Sequence, residues 1–154
     1  MKTKVLLLIV AVLLTSCTSP IYEKYHPHQH PGSKWVSEDE QAWFIINSDP
    51  KQSPHHRGGI VVNGEEISMV FEICMPWGGL NAVPKEEFDS VEFSLPSHYH
   101  EDDEPFARFG EAWGKSEKRE HWGFVTLREE YIVCKIHASS VFEKGEEITF
   151  FRTL

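Results

Sequence analysis

One segment of the sequence places imidazole and carboxylate groups close enough together to bind a metal ion. His98 and His100 stand two residues apart, and Asp102 and Asp103 follow them. In an extended segment alternate side chains lie on the same side, so two imidazoles and a carboxylate can share a divalent ion. We expect an acidic, solvated loop with no bound cofactor here. The alternative is a weak divalent-metal site at these four residues.

A second group of histidines occupies alternate positions closer to the N-terminus. His26, His28 and His30 lie in a polar segment that also contains several prolines. Segments of this composition favour extended conformations, and short histidine-rich tracts can capture zinc or copper because imidazole is the commonest protein metal ligand. We expect residues 17–31 to form a solvated tether, with metal capture as the alternative.

Signatures of common catalytic sites are missing from the sequence. It contains no Gly-x-Ser-x-Gly, no His-Glu-x-x-His and no phosphate-binding glycine loop. The segment from His98 to Asp103 is similar to most of the His-x-His-x-Asp-His pattern of metallo-β-lactamase-like hydrolases, with Asp103 where the last histidine belongs. That family has a longer αββα fold, and no helical periodicity stands out in this sequence. We therefore expect that the protein is not an enzyme.

The first residues indicate where the protein resides. Lys2 and Lys4 precede ten consecutive apolar residues, 5–14, a run that suits a secretory signal and is too short to span a bilayer. The following Leu14-Thr15-Ser16-Cys17 resembles the lipobox of bacterial lipoproteins. The resemblance implies that residues 1–16 are a signal peptide and that Cys17 carries a diacylglyceryl group and acyl chains such as palmitate. We expect a lipoprotein anchored to the outer, extracytoplasmic face of the cell membrane.

The chain that remains after this cleavage is short and acidic. Cleavage removes Lys2 and Lys4 and no acidic residue, so 138 residues remain with 13 basic and 24 acidic side chains, a formal charge of −11. Such a surface repels nucleic acid and anionic lipid, because both bind proteins through lysine and arginine. Membrane attachment must then come from the acyl chains, two of which suffice for stable anchoring. We expect no nucleic-acid partner.

Alternation of apolar and polar residues predicts an all-β fold. Asn63-Gly64 separates two apolar runs and predicts a type I′ hairpin turn. Residues 47–59 predict a loop, because they combine prolines with Gly58-Gly59. Cys134 is predicted to face inward and Cys74 outward, so that both thiols stay free. Other alternating runs cover residues 42–46, 91–95, 106–113, 121–127, 131–137 and 146–152. The predicted core comprises Ala42, Phe44, Ile46, Ile67, Met69, Phe71, Ile73, Val91, Phe93, Leu95, Val125, Leu127, Ile132, Cys134, Ile136, Ile148 and Phe150.

The two ends of this predicted domain, residues 32–154, resemble a known fold family. Gly32-Ser33-Lys34-Trp35 resembles the Gly-x-Trp signature of lipocalin-like (calycin) barrels, which also place a basic residue on the last strand, where Arg152 lies here. Residues 34–39 and 145–150 are similar to small uncharacterised lipoproteins of Gram-positive gut-type bacteria. The resemblance implies a single antiparallel β-barrel of about eight strands. Its first and last strands would be adjacent, and the Arg152 guanidinium would cover the Trp35 indole.

These observations favour a binding protein over an enzyme. We expect a lipid-anchored extracytoplasmic binding or interaction module, whose partner is a small apolar ligand or a surface protein. A barrel of eight strands has room for core side chains or one small ligand, and Trp77, Trp113 and Trp122 are candidates to line its mouth. The alternative is a cell-surface lipoprotein that handles zinc or copper through its histidine clusters.

The anchor gives the first testable prediction. We expect Cys17→Ser to move the protein from the membrane fraction to the medium, or to leave an uncleaved precursor, because the acylated thiol is lost. Fractionation with an antibody to the barrel measures this. Correct processing with unchanged membrane association of the variant would contradict the lipobox assignment.

Overall fold

Eight strands form a closed antiparallel barrel in the computed structural model, which describes residues 25–48, 54–74, 78–91 and 104–153. Each strand pairs with the next along the chain, and the last pairs with the first. This confirms the predicted all-β class and the number of strands. The strands are β1 (Lys34–Ser37), β2 (Ala42–Ile45), β3 (His55–Val62), β4 (Glu65–Cys74), β5 (Gly79–Pro84), β6 (Glu120–Leu127), β7 (Tyr131–Ala138) and β8 (Glu147–Thr153).

Within the described residues the barrel is accompanied by a 3₁₀ helix (Pro27–Gln29) and by the helices α1 (Lys85–Asp89) and α2 (Glu104–Lys115). The predicted strand over residues 106–113 is wrong, because this stretch belongs to α2. Phe109, Ala112 and Trp113 recur at the three- and four-residue spacing that places them on one helix face. Phe109 and Ala112 are buried against Val83 of β5. The gain from burying this face decides the conformation.

Large side chains fill the centre of the barrel. Five aromatic residues are fully buried there, and their ring centroids lie 5.2 to 6.3 Å apart in neighbouring pairs. Eight strands enclose a space just wide enough for packed side chains. The interior is therefore a core rather than a cavity. The five residues are Trp35, Phe44, Phe71, Trp122 and Phe150.

The predicted hairpin is confirmed in position and in turn type. β3 and β4 pair from Val62 opposite Glu65, and the two residues between them have φ angles of 53° at Asn63 and 82° at Gly64. A type I′ turn requires positive φ at both positions, and asparagine and glycine tolerate it best. This turn sets the register of the longest strand pair in the barrel.

Most of the predicted core is confirmed. Twelve of the predicted residues are buried in the main cluster, and Ile67 is partly buried against it. Val91 is buried in the separate cluster beneath α2, while Phe93 and Leu95 lie outside the described residues. The twelve are Ala42, Phe44, Ile46, Met69, Phe71, Ile73, Leu127, Ile132, Cys134, Ile136, Ile148 and Phe150.

Val125 is the wrong member of the predicted core, since it is 52% exposed. The β6–β7 register shifts between Phe124 and Thr126, which marks an extra residue in β6 at this point. A bulge resets the inward and outward alternation along a strand. Phe124 and Leu127 therefore both face the core, and Val125 between them faces solvent.

The predicted loop over residues 47–59 is too long, because β3 begins at His55. Its two glycines lie within the strand, where a side chain would not fit. A Cβ atom on Gly58 would stand 2.4 Å from the Phe71 ring, and one on Gly59 would stand 2.7 Å from the Trp43 indole nitrogen. Here glycine permits close packing rather than a turn.

The predicted free thiol of Cys134 is confirmed, and the residue is fully buried. Burial raises the pKa of this thiol well above its usual range, because the thiolate would lose its hydration. Cys134 is therefore an inert, small core residue. The Cys74 side chain lies outside the described part of the structure.

The filled interior predicts a large effect of truncation. We expect Phe71→Ala to lower the free energy of unfolding by about 3–5 kcal/mol, because the removed ring contacts Phe44 and Trp122 at the centre of the barrel. Phe151→Ala is the control, since Phe151 is 47% exposed. Chemical denaturation measures both variants, and a loss below about 1 kcal/mol for Phe71→Ala would contradict this core.

Candidate functional site

Trp122 occupies the barrel interior, so the prediction that it lines a mouth is wrong. Its indole N–H donates a 3.0 Å hydrogen bond to Oε2 of Glu120, whose Oε1 accepts a 2.7 Å hydrogen bond from the Ser140 backbone N–H. Glu120 is fully buried, and burial raises the pKa of its carboxyl although these hydrogen bonds lower it. Glu120 thus ties the β7–β8 loop to the core, which indicates a structural role.

Helices α1 and α2 pack on a row of polar residues on the outside of the barrel. The row crosses four neighbouring strands in register, so its side chains share one face. Phe88 of α1 and Phe109 of α2 contact the His55 ring at 5.1 and 5.6 Å. The row, called the helix-covered row below, comprises His55, Glu72, Asn81 and His121.

Glu72 is the acidic residue of the helix-covered row, and the pKa of its carboxyl is shifted. Burial raises the pKa of its carboxyl from 4.5 to about 7, because the charged form loses hydration. Its Oε2 lies 4.0 Å from Nε2 of His55, too far for a hydrogen bond, and accepts none from the described residues. The carboxyl is therefore about half protonated near pH 7. The face above it is already occupied by aromatic side chains of α1 and α2.

A second row on the outside is apolar and carries no helix in the described structure. It also crosses four strands in register: Trp43 lies opposite Val36, which lies opposite Phe151, which lies opposite Tyr131. Phe151 is 47% exposed, and the other three are half-buried. We call this set the exposed apolar row. It lies on the other half of the barrel, which is formed by strands β2, β1, β8 and β7.

A groove of about 530 Å³ runs along the exposed apolar row. Val36, Trp43 and Phe151 contribute its apolar lining. The charged lining residues are Lys34, Glu38, Glu40 and Glu66. Lys34 is engaged with the Trp43 ring, its ammonium 4.9 Å from the centroid. Three carboxylates against one engaged ammonium leave the rim of the groove acidic.

The histidines of the predicted tether pack against one end of the barrel. His26 is 4% exposed and its ring meets Phe124 edge-on at 5.9 Å, while Pro27 is buried. His56, which falls in the loop predicted over residues 47–59, is 1% exposed and faces the barrel interior, so the loop prediction is wrong at this residue. The folded unit therefore begins at or before Tyr25 rather than at the predicted boundary of residue 32.

Hydrogen bonds fix the ring forms of these buried histidines. The Asn47 N–H donates to Nδ1 of His56 at 3.0 Å, so the hydrogen of a neutral His56 sits on Nε2 and donates to Nε2 of His28, 3.0 Å away. The His28 N–H donates to Nδ1 of His26 at 3.3 Å. Burial lowers the pKa to about 4 at His26 and about 3 at His56, and lowers that of His28 as well. All three rings are neutral at pH 7.

The two residues predicted to close the barrel are brought together in register. Trp35 of β1 lies opposite Arg152 of β8, and its indole is fully buried. Nη1 of Arg152 donates to Nδ1 of His30 at 2.7 Å, and the His30 ring lies 6.4 Å from the Trp35 ring. Nη2 of Arg152 lies 3.7 Å from a carboxylate oxygen of Glu129. The direct stack of Arg152 on Trp35 stays a prediction.

The described part of the chain contains no preformed metal site. Across residues 25–48, 54–74, 78–91 and 104–153 no group of three or more histidine, cysteine or carboxylate side chains is arranged to hold a metal ion. A neutral imidazole has one lone pair, and in His26, His28, His30 and His56 that lone pair already accepts a hydrogen bond. A metal ion could bind any of these four histidines only by displacing that hydrogen bond.

Several predicted sites fall outside the described residues. These are the lipidation site Cys17, the metal candidates His98, His100, Asp102 and Asp103, and the mouth candidate Trp77. Among the residues that are described, no helix is both long enough and apolar enough to cross a membrane.

Comparison with protein-family models, curated proteins and solved structures finds no match to the chain. Membership of the lipocalin-like lipoproteins therefore stays a prediction.

The sequence contained signals for both outer rows that its interpretation did not use. Trp43 and Phe151 each fall on the outward position beside a residue assigned to the core, and Val36 follows Trp35, which was predicted to close the barrel end. Their outward position therefore followed from the alternation itself. Their alignment into one row depends on the pairing of β1 with both β2 and β8. His55 and Glu72 became neighbours only through the register of the hairpin.

The buried Glu72 carboxyl predicts a pH-dependent difference in stability. Its folded-state pKa of about 7 lies above the ordinary 4.5, so the wild type loses stability as pH rises from 4.5 to 7. Glu72→Gln lacks that loss. We expect the variant to gain about 1–3 kcal/mol on the wild type between pH 4 and pH 8. Denaturation across this range measures it, with the exposed Glu66→Gln of the same strand as control for loss of a charge. A constant difference would contradict the burial of this carboxyl.

Proposed function

We propose that this chain is a lipid-anchored extracytoplasmic interaction module that binds a protein segment along its exposed apolar row. The observation that carries the proposal is the aromatic filling of the barrel. Trp35, Phe44, Phe71, Trp122 and Phe150 are each fully buried and in mutual contact. A small apolar ligand could enter only by displacing this core, whose truncation costs several kcal/mol. Binding is therefore expected on the outside.

The exposed apolar row supports the choice of surface. Aromatic residues are enriched in the centres of protein interfaces, where a few of them supply most of the binding energy. Trp43 and Phe151 flank Val36 in the groove, and the Trp43 indole is held in place by Lys34 on one side and by Gly59 beneath it. A preorganised aromatic anchor loses little entropy on binding.

Charge supports the choice of partner. The rim residues Glu38, Glu40 and Glu66 are exposed, and the chain that follows the predicted signal peptide has a formal charge of −11. Such a field attracts cationic groups and repels anionic ones. The occupant that fits both the apolar floor and the acidic rim is an extended protein segment that alternates basic and apolar residues.

The anchor gives this surface a location. Cleavage before Cys17 and acylation of its thiol would leave the barrel tethered to the extracytoplasmic face of the membrane by residues 17–24. An acidic barrel is repelled by anionic lipid, which favours display of its outer surface to other proteins over contact with the bilayer.

A defined pair of peptides tests the proposal. Calorimetry and NMR would compare an alternating lysine–leucine peptide with its glutamate–leucine counterpart on the non-acylated Cys17→Ser chain. We expect binding of the lysine peptide alone, with shifts at the Trp43 indole and at Phe151. Phe151→Ser should weaken binding about tenfold or more, because it removes a central aromatic contact. Val125→Ser, which truncates another exposed apolar strand residue, should leave affinity unchanged.

Three outcomes would contradict the proposal. The first is equal binding of both peptides, and the second is an equal loss in the Val125→Ser variant. The third is a small apolar molecule that remains bound in native mass spectrometry of protein purified from its own membrane. A stoichiometric zinc or copper ion in that spectrum would instead favour the metal-handling alternative.

A further inference from the structure

Residues 25–31 close one end of the barrel, and we call this segment the N-terminal plug. The 3₁₀ helix Pro27–Gln29 forms its centre, Tyr25 packs against the main core, and Pro27 is buried. Gly32 and Ser33, which follow, are already bonded to Ile46 through the backbone. The plug therefore sits between the barrel proper and whatever lies N-terminal to Tyr25.

Among the side-chain contacts between the described residues of the N-terminal plug and of the barrel are two hydrogen bonds that each join two basic groups. Nε2 of His28 meets Nε2 of His56 on β3 at 3.0 Å. Nδ1 of His30 meets Nη1 of Arg152 on β8 at 2.7 Å. Both bonds require the accepting imidazole to be neutral. A proton on His30 places it against the Arg152 cation. A proton on His28 leaves two N–H donors facing each other, and protonation of His56 as well makes that contact one between like charges.

We propose that the N-terminal plug is an acid-released latch: protonation of its histidines and of His56 expels residues 25–31 from the end of the barrel while the barrel stays folded. The inference goes beyond the proposed function and does not depend on it.

The charged and titratable groups around the contact favour release in acid. His26 and His28 face His56 from the plug, and His55 precedes His56 on β3. Arg152 faces His30 from β8, while Glu129 in the β6–β7 turn is the one acid close to that pair. Glu129 is exposed, so solvent screens its attraction. The carboxyl of Glu72 lies beside His55 on the outer face of the sheet, and the charges that act on the inward-facing His56 are those of His28, His55 and His26. The balance of neighbouring charge at the contact is therefore basic.

The steepness of release follows from proton linkage. The pKa of His26 in the closed state is about 4 and that of His56 about 3, against 6.5 for a free imidazole. Lowered pKa values mean that the open state binds more protons than the closed state. The population of the closed state therefore decreases as pH falls below 6.5. Each such histidine shifts the ratio of closed to open plug about tenfold per pH unit. His26 gives this tenfold per unit between pH 6.5 and 4 because release frees its ring, and His28, whose pKa burial also lowers, adds to it.

Release would change the reach of the barrel from its anchor. An extended chain spans about 3.3–3.6 Å per residue. Freeing the seven residues 25–31 would lengthen a tether that starts at Cys17 by roughly 25 Å. It would also uncover the ends of Trp35 and Phe124, which the plug now contacts.

Distance measurements by pulsed electron paramagnetic resonance test the latch. The non-acylated chain carries Cys17→Ser and Cys74→Ser, retains the buried Cys134, and bears spin labels at exposed positions Gln29 and Glu130. We expect one narrow distance at pH 7.5 and a broad, longer distribution near pH 5, with the ratio of open to closed plug rising more than tenfold per pH unit. A second labelled pair, Asn63 and Glu130, reports on the barrel and should not change.

Matched double variants separate the latch from general acid effects. His28→Gln with His56→Gln removes the titrating pair but keeps amide groups that can hydrogen-bond, so the acid transition should disappear or move at least one pH unit lower. His121→Gln with His137→Gln is the control, because these rings also lie 4.8 Å apart but on the outside of β6 and β7. If the amide pair fails to hold the plug at pH 7.5, Arg152→Met should still make the acid transition less steep, because His30 no longer meets a like charge when it is protonated.

Several results would overturn the latch. An unchanged plug distance at pH 5 is one, and a slope of tenfold or less per pH unit is another. A loss of the Asn63–Glu130 distance at the same pH would mean that acid unfolds the barrel as a whole. An equal shift in the His121 and His137 double variant would remove the assignment to His28 and His56.

Discussion

The pairing of β1 with β8 is the constraint on which the rest of the molecule depends. It joins the ends of the folded unit, with Trp35 opposite Arg152, and converts an eight-strand sheet into a closed cylinder. Closure removes the free edges that would invite aggregation. It also limits the interior to the volume that inward side chains can fill. With five aromatic rings inside, little room is left for anything else.

A filled cylinder places every recognition feature on its outside or at its ends. Because pleating alternates side chains between the two faces, each strand that supplies a core residue also presents an outward neighbour. The chain uses these outward positions in two ways. Across β3 to β6 they form the helix-covered row, which is polar, and across β2, β1, β8 and β7 they form the exposed apolar row. Cover and composition are thus inverted relative to simple expectation, since helices α1 and α2 pack on the polar row and no helix of the described residues packs on the apolar one.

The energetic cost of the helix-covered row is offset within the structure, whereas the cost of the exposed apolar row points to a function. Glu72 under α1 and α2 carries a pKa of about 7 because it has lost hydration, and the aromatic contacts of α1 and α2 offset that penalty. Phe151 is left in water without an evident structural reason, and an exposed aromatic in a preformed groove is a common mark of an interaction surface. At the end of the barrel, His26, His28 and His56 pack together as neutral bases. Protonation of these rings would replace their mutual hydrogen bonds by repulsion.

Local pattern in the sequence determined the elements whose geometry is local. Asn63-Gly64 dictated a turn with two positive φ angles, and the alternation of Met69, Phe71 and Ile73 determined which face of β4 is buried, because both depend on neighbours within a few residues. Tertiary packing decided three other features: the position of Gly58 and Gly59 within a strand, the bulge at Val125 and the helix around Phe109. Each of them depends on a surface supplied by a distant strand. The same holds for His56, which reads as a loop residue and becomes an interior one through its register with Phe71. Spacing along the chain predicted which residues could face inward, whereas only closure of the barrel decided which of them meet.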